Sequence, residues 1–220
     1  MTAESRPGRT RRFIAVGVAL VVVIAAIVVL FTPAFALRDV EVRGTAILTP
    51  DEVTEAADVP VGRPLLRVSE GEIAERVAAL TPVAEVEVRR VVPDRLVITV
   101  SERRPLFVLD HGQEQVLVDH GGIAFAPARA EADLVTAKAP ADPATLEAIA
   151  TVVSSVGDLP VERVEARSPD SITLILPEDR RIIAGSAQDA DLKIEVARTL
   201  LESTDAKFID VTAPNNPSTR

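Results

Sequence analysis

The chain has 220 residues, 33 acidic against 24 basic side chains, six Phe, and no Trp, Tyr or Cys. Without cysteine there are no disulfides, zinc–thiolate sites or cysteine nucleophiles, and the cores must be built from Val, Leu, Ile and Ala. The acid excess argues against nucleic-acid binding, which needs a basic face.

Residues 1–12 read as a cytoplasmic tail. Arg6, Arg9, Arg11 and Arg12 stand there against Glu4 alone. Residues 13–31 follow as nineteen apolar residues without a charged side chain. As a helix they would cover about 28 Å, close to the ~30 Å hydrocarbon core of a bilayer. The reading is a transmembrane helix over residues 13–32, with Pro33 as its stop. Basic residues stay on the cytoplasmic side, so residues 32–220, with 20 basic and 32 acidic side chains, face outward. That makes a single-pass type II membrane protein. A rival reading is a cleaved signal peptide. Ala34-Phe35-Ala36 has the small-x-small form and Arg11-Arg12-Phe13 fits an export signal, but the apolar run exceeds the roughly 7–15 residues of a signal core.

Residues 37–44 alternate, with Val40 and Val42 opposite Asp39, Glu41 and Arg43, and end at Gly44: a half-buried strand. Thr49-Pro50-Asp51-Glu52 starts a helix with a cap, a Pro at N1, a capping box and a Leu48–Val53 staple. Ser69 and Glu72 repeat the box before the Ile73, Val77, Leu80 stripe. A hairpin follows. Val86, Val88 and Arg90 alternate with Glu85, Glu87 and Arg89, Val92-Pro93-Asp94-Arg95 turns, and Leu96, Ile98 and Val100 return.

This order of strand, helix, helix and hairpin behind a single span resembles a POTRA domain. The phrases VEVRG, TPV at Thr81, VEVRRVVPDRLVITV and ERRP resemble those of the FtsQ/DivIB family of bacterial division proteins. So does VLVDHGGIAF, further on. The resemblance covers residues 37–214.

In the second half, residues 107–110, 116–119 and 123–125 read as strands. Asp142-Pro143 opens a helix with Leu146, Ile149, Val153 and Val156 on one face and Gly157 as its stop. Residues 161–167, 172–176 and 180–184 read as strands. Ser186 is expected to cap a last helix carrying Leu192, Val196 and Leu200, before a final strand over residues 208–212. The fold class is therefore α+β: one N-terminal transmembrane helix, a POTRA domain over residues 37–105 and a strand-rich FtsQ-type domain over residues 106–214. Residues 215–220 are expected to be a flexible tail.

Chemistry is sparse. His111 and His120 sit in Asp-His-Gly triplets, where Asp and Gly serve the turns, and no third metal ligand accompanies them. Gly-x-Ser-x-Gly, Ser-x-x-Lys and phosphate-loop patterns are absent from the sequence. Catalytic, cofactor-binding and metal residues are accordingly assigned as none, and no small-molecule substrate is expected. Arg89-Arg90 and Arg103-Arg104 suit either lipid headgroups or ordinary solvation of a strand, and solvation is favoured.

The resemblance implies a non-enzymatic, membrane-embedded scaffold of the divisome at the division septum. It would bind the FtsB (DivIC)–FtsL subcomplex and help control septal peptidoglycan synthesis. The expected mode is strand addition at a candidate edge formed by Phe208, Ile209, Asp210, Val211 and Thr212. The alternatives are an exported cell-envelope enzyme and a POTRA-type secretion chaperone, the latter without a second POTRA-like repeat in the sequence.

Overall fold

The computed structural model describes residues 9–31, 35–112, 114–128 and 134–220. Most of the expected tail, with Pro33 and Ala34, lies outside the described residues. The first helix, α1 (Arg9–Phe31), already begins inside the arginine cluster. Among the described residues no helix is long and apolar enough to cross a membrane. The helix is thus assigned and the span is not. Phe13, Leu20, Ile24 and Val28 of α1 are 51–72% exposed, so the described residues leave them largely uncovered.

The chain divides into two compact units, residues 1–102 and 103–220. In the first, β1 (Asp39–Arg43), β2 (Val83–Val91) and β3 (Arg95–Glu102) form a sheet in the order β1-β3-β2. β1 runs parallel to β3, and β2 antiparallel. The alternation sorts the faces as expected: Val88, Leu96, Ile98 and Val100 are buried. Helices α2 (Pro50–Ala57) and α3 (Glu70–Ala78) close the core with Val53, Ala57, Ile73 and Val77.

The caps form where the sequence places them. Thr49 accepts the Glu52 N–H and Glu52 returns to the Thr49 N–H, a complete capping box. Ser69 accepts the Glu72 N–H at the start of α3, but the expected return bond from Glu72 to the Ser69 N–H does not form, so this box is only half made. Glu70 pairs instead with Arg90, which holds its carboxyl below the usual carboxylate range. At the other end of α2, the Arg76 guanidinium donates twice to the Ala57 carbonyl, supplying an orphan helix-end acceptor. The loop before α2 is gathered by Glu102, whose carboxylate accepts the N–H groups of Ala46, Ile47 and Leu48 at 2.8–3.1 Å.

In the second unit, one nine-stranded sheet runs in the order β12-β11-β10-β9-β8-β7-β4-β5-β6. Its strands are β4 (Pro105–Asp110), β5 (Gln115–Asp119), β6 (Ala124–Pro127), β7 (Thr136–Lys138), β8 (Arg163–Glu165), β9 (Ile172–Ile175), β10 (Arg181–Gly185), β11 (Phe208–Asp210) and β12 (Ser218–Thr219). Helix α4 (Pro143–Val156) packs on β4 and β5, α5 (Ala190–Ser203) packs on β10 and β11, and the two helices touch. Phe107, Leu109, Ile149, Leu174, Ile182 and Ile209 form the centre of the core.

Three further features depart from the sequence reading. β7 was not anticipated, yet it bridges β4 and β8 with parallel pairing on both sides. Its one inward apolar residue, Ala137, is fully buried but too small and isolated to signal a strand. Helix α5 begins at Ala190 behind Asp189, not at Ser186. The reason is Lys193, which is buried on the face assigned to apolar residues while its ammonium donates to the Ser186 carbonyl and hydroxyl. That rotates the helix, so Leu192 is exposed, Ala190, Ile194 and Ala197 are buried, and Val196 and Leu200 are only partly covered. The tail expected to be flexible is also paired: Asn216 N–H donates to the Ala213 carbonyl, and the chain turns back into β12.

Asp119 shows how the β5–β6 turn is held. One carboxylate oxygen accepts the Gly121 and Ile123 N–H groups and the other accepts from Arg103 at 2.8 Å. Burial works to raise its pKa, but the Ile123 N–H, Arg103 and the Gly121 N–H together outweigh it and hold the carboxyl below its ordinary value. Such a group stabilises the fold above its unfolded pKa of about 4, and the contribution is lost as pH falls through the lower folded value. Asp119→Asn should cost about 1–3 kcal/mol at neutral pH. The difference from wild type should shrink as urea unfolding is repeated at decreasing pH below ~4; a gap that stays constant would contradict the assignment.

A second expectation concerns Gly44, at φ +84° with an added Cβ falling 2.1 Å from the Val100 carbonyl oxygen. Gly44→Ala should destabilise the first unit by about 3 kcal/mol, read as a lowered unfolding midpoint by circular dichroism.

Candidate partner-binding edge

The β10–α5–β11 segment builds this end of the second sheet. Arg180 fixes the return from the helix: its guanidinium donates to the carbonyls of Leu201, Thr204 and Ala206. Arg181 N–H then donates to the Lys207 carbonyl at 2.7 Å, and Val211 N–H to the Ile183 carbonyl at 3.0 Å. β11 thereby lies parallel to β10, with Arg181 beside Phe208 and Ile183 beside Asp210.

Period two separates the faces. Ile209 and Val211 are buried. Phe208, 42% exposed, and Asp210 belong to the opposite face. The Arg181 guanidinium lies 5.9 Å from the centre of the Phe208 ring, within range of a cation–π contact. Asp210 accepts the Thr212 N–H and hydroxyl at 3.0 and 2.7 Å, which ends the strand in a tight turn. A groove of 490 Å³ lies here, lined by Ile183, Lys207, Phe208, Asp210, Ser218 and Arg220. Its lining combines two apolar side chains with Lys207 and Arg220 against a single carboxylate.

The structure brings Phe208, Ile209 and Asp210 together on one strand but does not leave that strand at the edge. β12 pairs with it antiparallel, Ile209 opposite Thr219 and Asp210 opposite Ser218. Phe208 and Arg220 exchange both backbone hydrogen bonds, at 3.1 and 3.0 Å. Val211 and Thr212 lie beyond the strand. The outermost strand is therefore Ser218–Thr219, because the turn at Ala213–Asn216 carries the last residues back along β11. Antiparallel pairs alternate between bonded and non-bonded. Thr219 is accordingly the residue whose N–H and C=O point away from β11, and Pro217 has no N–H to offer. Sequence reasoning missed Ile183, Lys207, Ser218 and Arg220. A two-residue strand holds too little period-two pattern to be seen, and the first two are neighbours only through the parallel register.

The histidines lie elsewhere. His120 Nδ1 is 3.3 Å from the Ser154 hydroxyl, and His111 is exposed. Among the described residues no three His, Asp or Glu side chains gather as metal ligands.

Residues 35–103 match the FtsQ-type POTRA domain family. The chain is 35% identical over 195 residues to the cell division protein FtsQ of Mycobacterium leprae, covering 86% of this chain and 57% of that protein. The corresponding protein of Mycolicibacterium smegmatis is 34% identical over 209 residues, with 92% and 62% covered. That of Streptomyces coelicolor is 34% identical over 243 residues, with 97% and 89% covered. The chain thus spans less than two thirds of these two mycobacterial relatives and most of the Streptomyces one. Its α+β architecture, the matched POTRA domain and this identity along nearly the whole chain agree, and the chain belongs to the FtsQ family of cell division proteins.

Proposed function

We propose that the protein is a non-enzymatic, single-pass scaffold of the divisome. Residues 13–32, most of them in α1, span the membrane, the arginine-rich tail over residues 1–12 stays in the cytoplasm, and residues 37–105 and 106–214 are its two extracytoplasmic domains. The exposed apolar surface of α1 supports the span, since nothing among the described residues covers it. Family membership supports a place at the division septum. The partners would be FtsB/DivIC-like and FtsL-like membrane proteins, through which the scaffold acts on septal peptidoglycan synthesis.

The observation that carries the binding mode is the open edge at β12 with its groove. An extended partner segment adds a strand beside Thr219. Its alternate side chains enter the groove, an apolar one against Phe208 and Ile183 and an acidic one against Lys207 and Arg220. Few backbone bonds are on offer, so the groove side chains set most of the affinity. Residues 208–212 contribute through Phe208 and Asp210, and Ile209 and Val211 hold the strand from beneath.

In a calorimetric titration of the full chain with an FtsB/DivIC-like partner, Phe208→Ala should weaken binding about tenfold, as for an aromatic anchor. Thr219→Pro should remove the outward N–H and lower affinity further. Unchanged affinity in both variants, with unchanged circular dichroism, would overturn the edge assignment. A fluorescent fusion should concentrate at mid-cell in dividing cells, and an even distribution around the envelope would sink the divisome reading.

A further inference from the structure

Three segments of the POTRA unit meet where the chain enters it. Ala36 bridges Pro64 in an antiparallel pair. Leu37 N–H donates to the Arg63 carbonyl and Gly62 N–H to the Leu37 carbonyl, at 2.9 and 2.8 Å. The N–H groups of Arg38 and Asp39 both reach the Asp94 carbonyl in the hairpin turn. Arg90 donates to the Leu66 carbonyl, tying the hairpin to the loop before α3.

This end carries an unusual surface. Val61, Leu66, Val91 and Val92 are 63%, 50%, 44% and 64% exposed. Among the described residues of 35–102 they are the only large apolar side chains that are exposed, and all four belong to these segments. The charge is local as well. Residues 35–39, 58–67 and 90–95 hold five Arg against three Asp, inside an exported region where 32 acidic side chains outnumber 20 basic ones. Arg63 is exposed and carries no ion pair among the described residues.

The chain also limits where this end can go. Phe31 closes α1 and Phe35 is only four residues on, so their Cα atoms are at most about 14 Å apart. The headgroup layer beyond the hydrocarbon is itself roughly 5–8 Å thick. With α1 in the bilayer, this end of the domain is held at the interface.

We propose that the entry end of the POTRA unit is a phospholipid-contact surface. Val61, Leu66, Val91 and Val92 seat in the headgroup–acyl boundary, and Arg38, Arg63 and Arg67 face anionic headgroups. The proposal rests on the reading of α1 as a membrane span. It adds that the folded domain itself, and not only its anchor, touches lipid, which fixes the domain's tilt on the membrane.

The lack of cysteine makes the test direct. Single substitutions Ala19→Cys, Val61→Cys, Val92→Cys and Glu85→Cys are labelled with a fluorophore in the full chain. The labelled protein is placed in phosphatidylglycerol–phosphatidylcholine vesicles containing a brominated lipid. Glu85 is exposed and pairs near the far end of β3, opposite Ser101, so its probe is the control. The probes at positions 19, 61 and 92 should be quenched and the one at 85 should not. Quenching at 61 and 92 should fall when phosphatidylglycerol is withdrawn or when Arg63→Glu is added. Strong quenching at 19 with positions 61 and 92 no more quenched than 85 would overturn the lipid-contact surface alone. No quenching at 19 would overturn the membrane span on which it rests. Quenching at 61 and 92 that ignores both phosphatidylglycerol and Arg63→Glu would overturn the arginine–headgroup part.

Discussion

One carboxylate organises the first unit. The N–H groups of Ala46, Ile47 and Leu48 lie just before the first turn of α2, and all three converge on Glu102 at the end of β3. Without that acceptor, three backbone donors in a partly buried loop would lose their partner, each at a cost of about 1–3 kcal/mol. The loop sets the position of Leu48 and Thr49, hence the staple and the capping box, and hence the angle at which Val53 and Ala57 enter the core. The following residue works in the second unit, where Arg103 reaches Asp119 and the β5–β6 turn. The phrase Glu-Arg-Arg-Pro therefore has a physical reading. Adjacent residues of opposite charge serve different loops: Glu102 accepts backbone N–H groups 54–56 residues upstream, and Arg103 pairs with Asp119, 16 residues downstream, whose carboxylate accepts the N–H groups of its turn.

Neither unit has a disulfide or a Trp to lean on, so strand alternation carries the burial. In the first unit it was legible in the hairpin, most clearly in β3, while in β1 Val40, Glu41 and Val42 are all half-buried. Leu96, Ile98 and Val100 are each at most 2% exposed, and the Pro93–Asp94 turn between the hairpin strands fixes the register. Helix starts were legible wherever a short polar side chain stood one residue before Pro or three before Glu, as at Thr49, Ser69 and Asp142. These signals are local, and the N-cap hydrogen bond that each implies forms.

The second unit was less legible because its deciding interactions are not local. β7 is three residues long and exists only because β4 and β8 flank it. Lys193 reads as a solvent-facing residue, yet it is buried and its ammonium finds oxygen at Ser186; a buried, hydrogen-bonded ammonium leaves no trace in a hydrophobic pattern. The candidate site was legible to the level of a strand. Phe208 to Asp210 form one as expected, and Ile209 is buried as the alternation requires. That Ser218 and Thr219 return to cover it depends on a turn through Pro214 and Asn216, which reads equally well as an unstructured end.

β12 changes what strand addition demands. A long open edge invites pairing with any chain, and proteins blunt such edges with short strands, proline and charge. Here the outermost strand has two residues, Pro217 precedes it, and Arg220 follows it. A partner adding a strand there would gain little from the backbone alone, which would protect against indiscriminate pairing. In the proposed mode selectivity would fall to side chains that the parallel β10–β11 register sets side by side: Arg181 against Phe208, and Ile183 against Asp210. A segment lacking the matching apolar and acidic residues would have to desolvate Lys207, Arg220 and Asp210 without replacing their water. In the proposed binding mode, chemical discrimination would lie in the floor of the groove, and the short edge strand would serve mainly to align the partner over it.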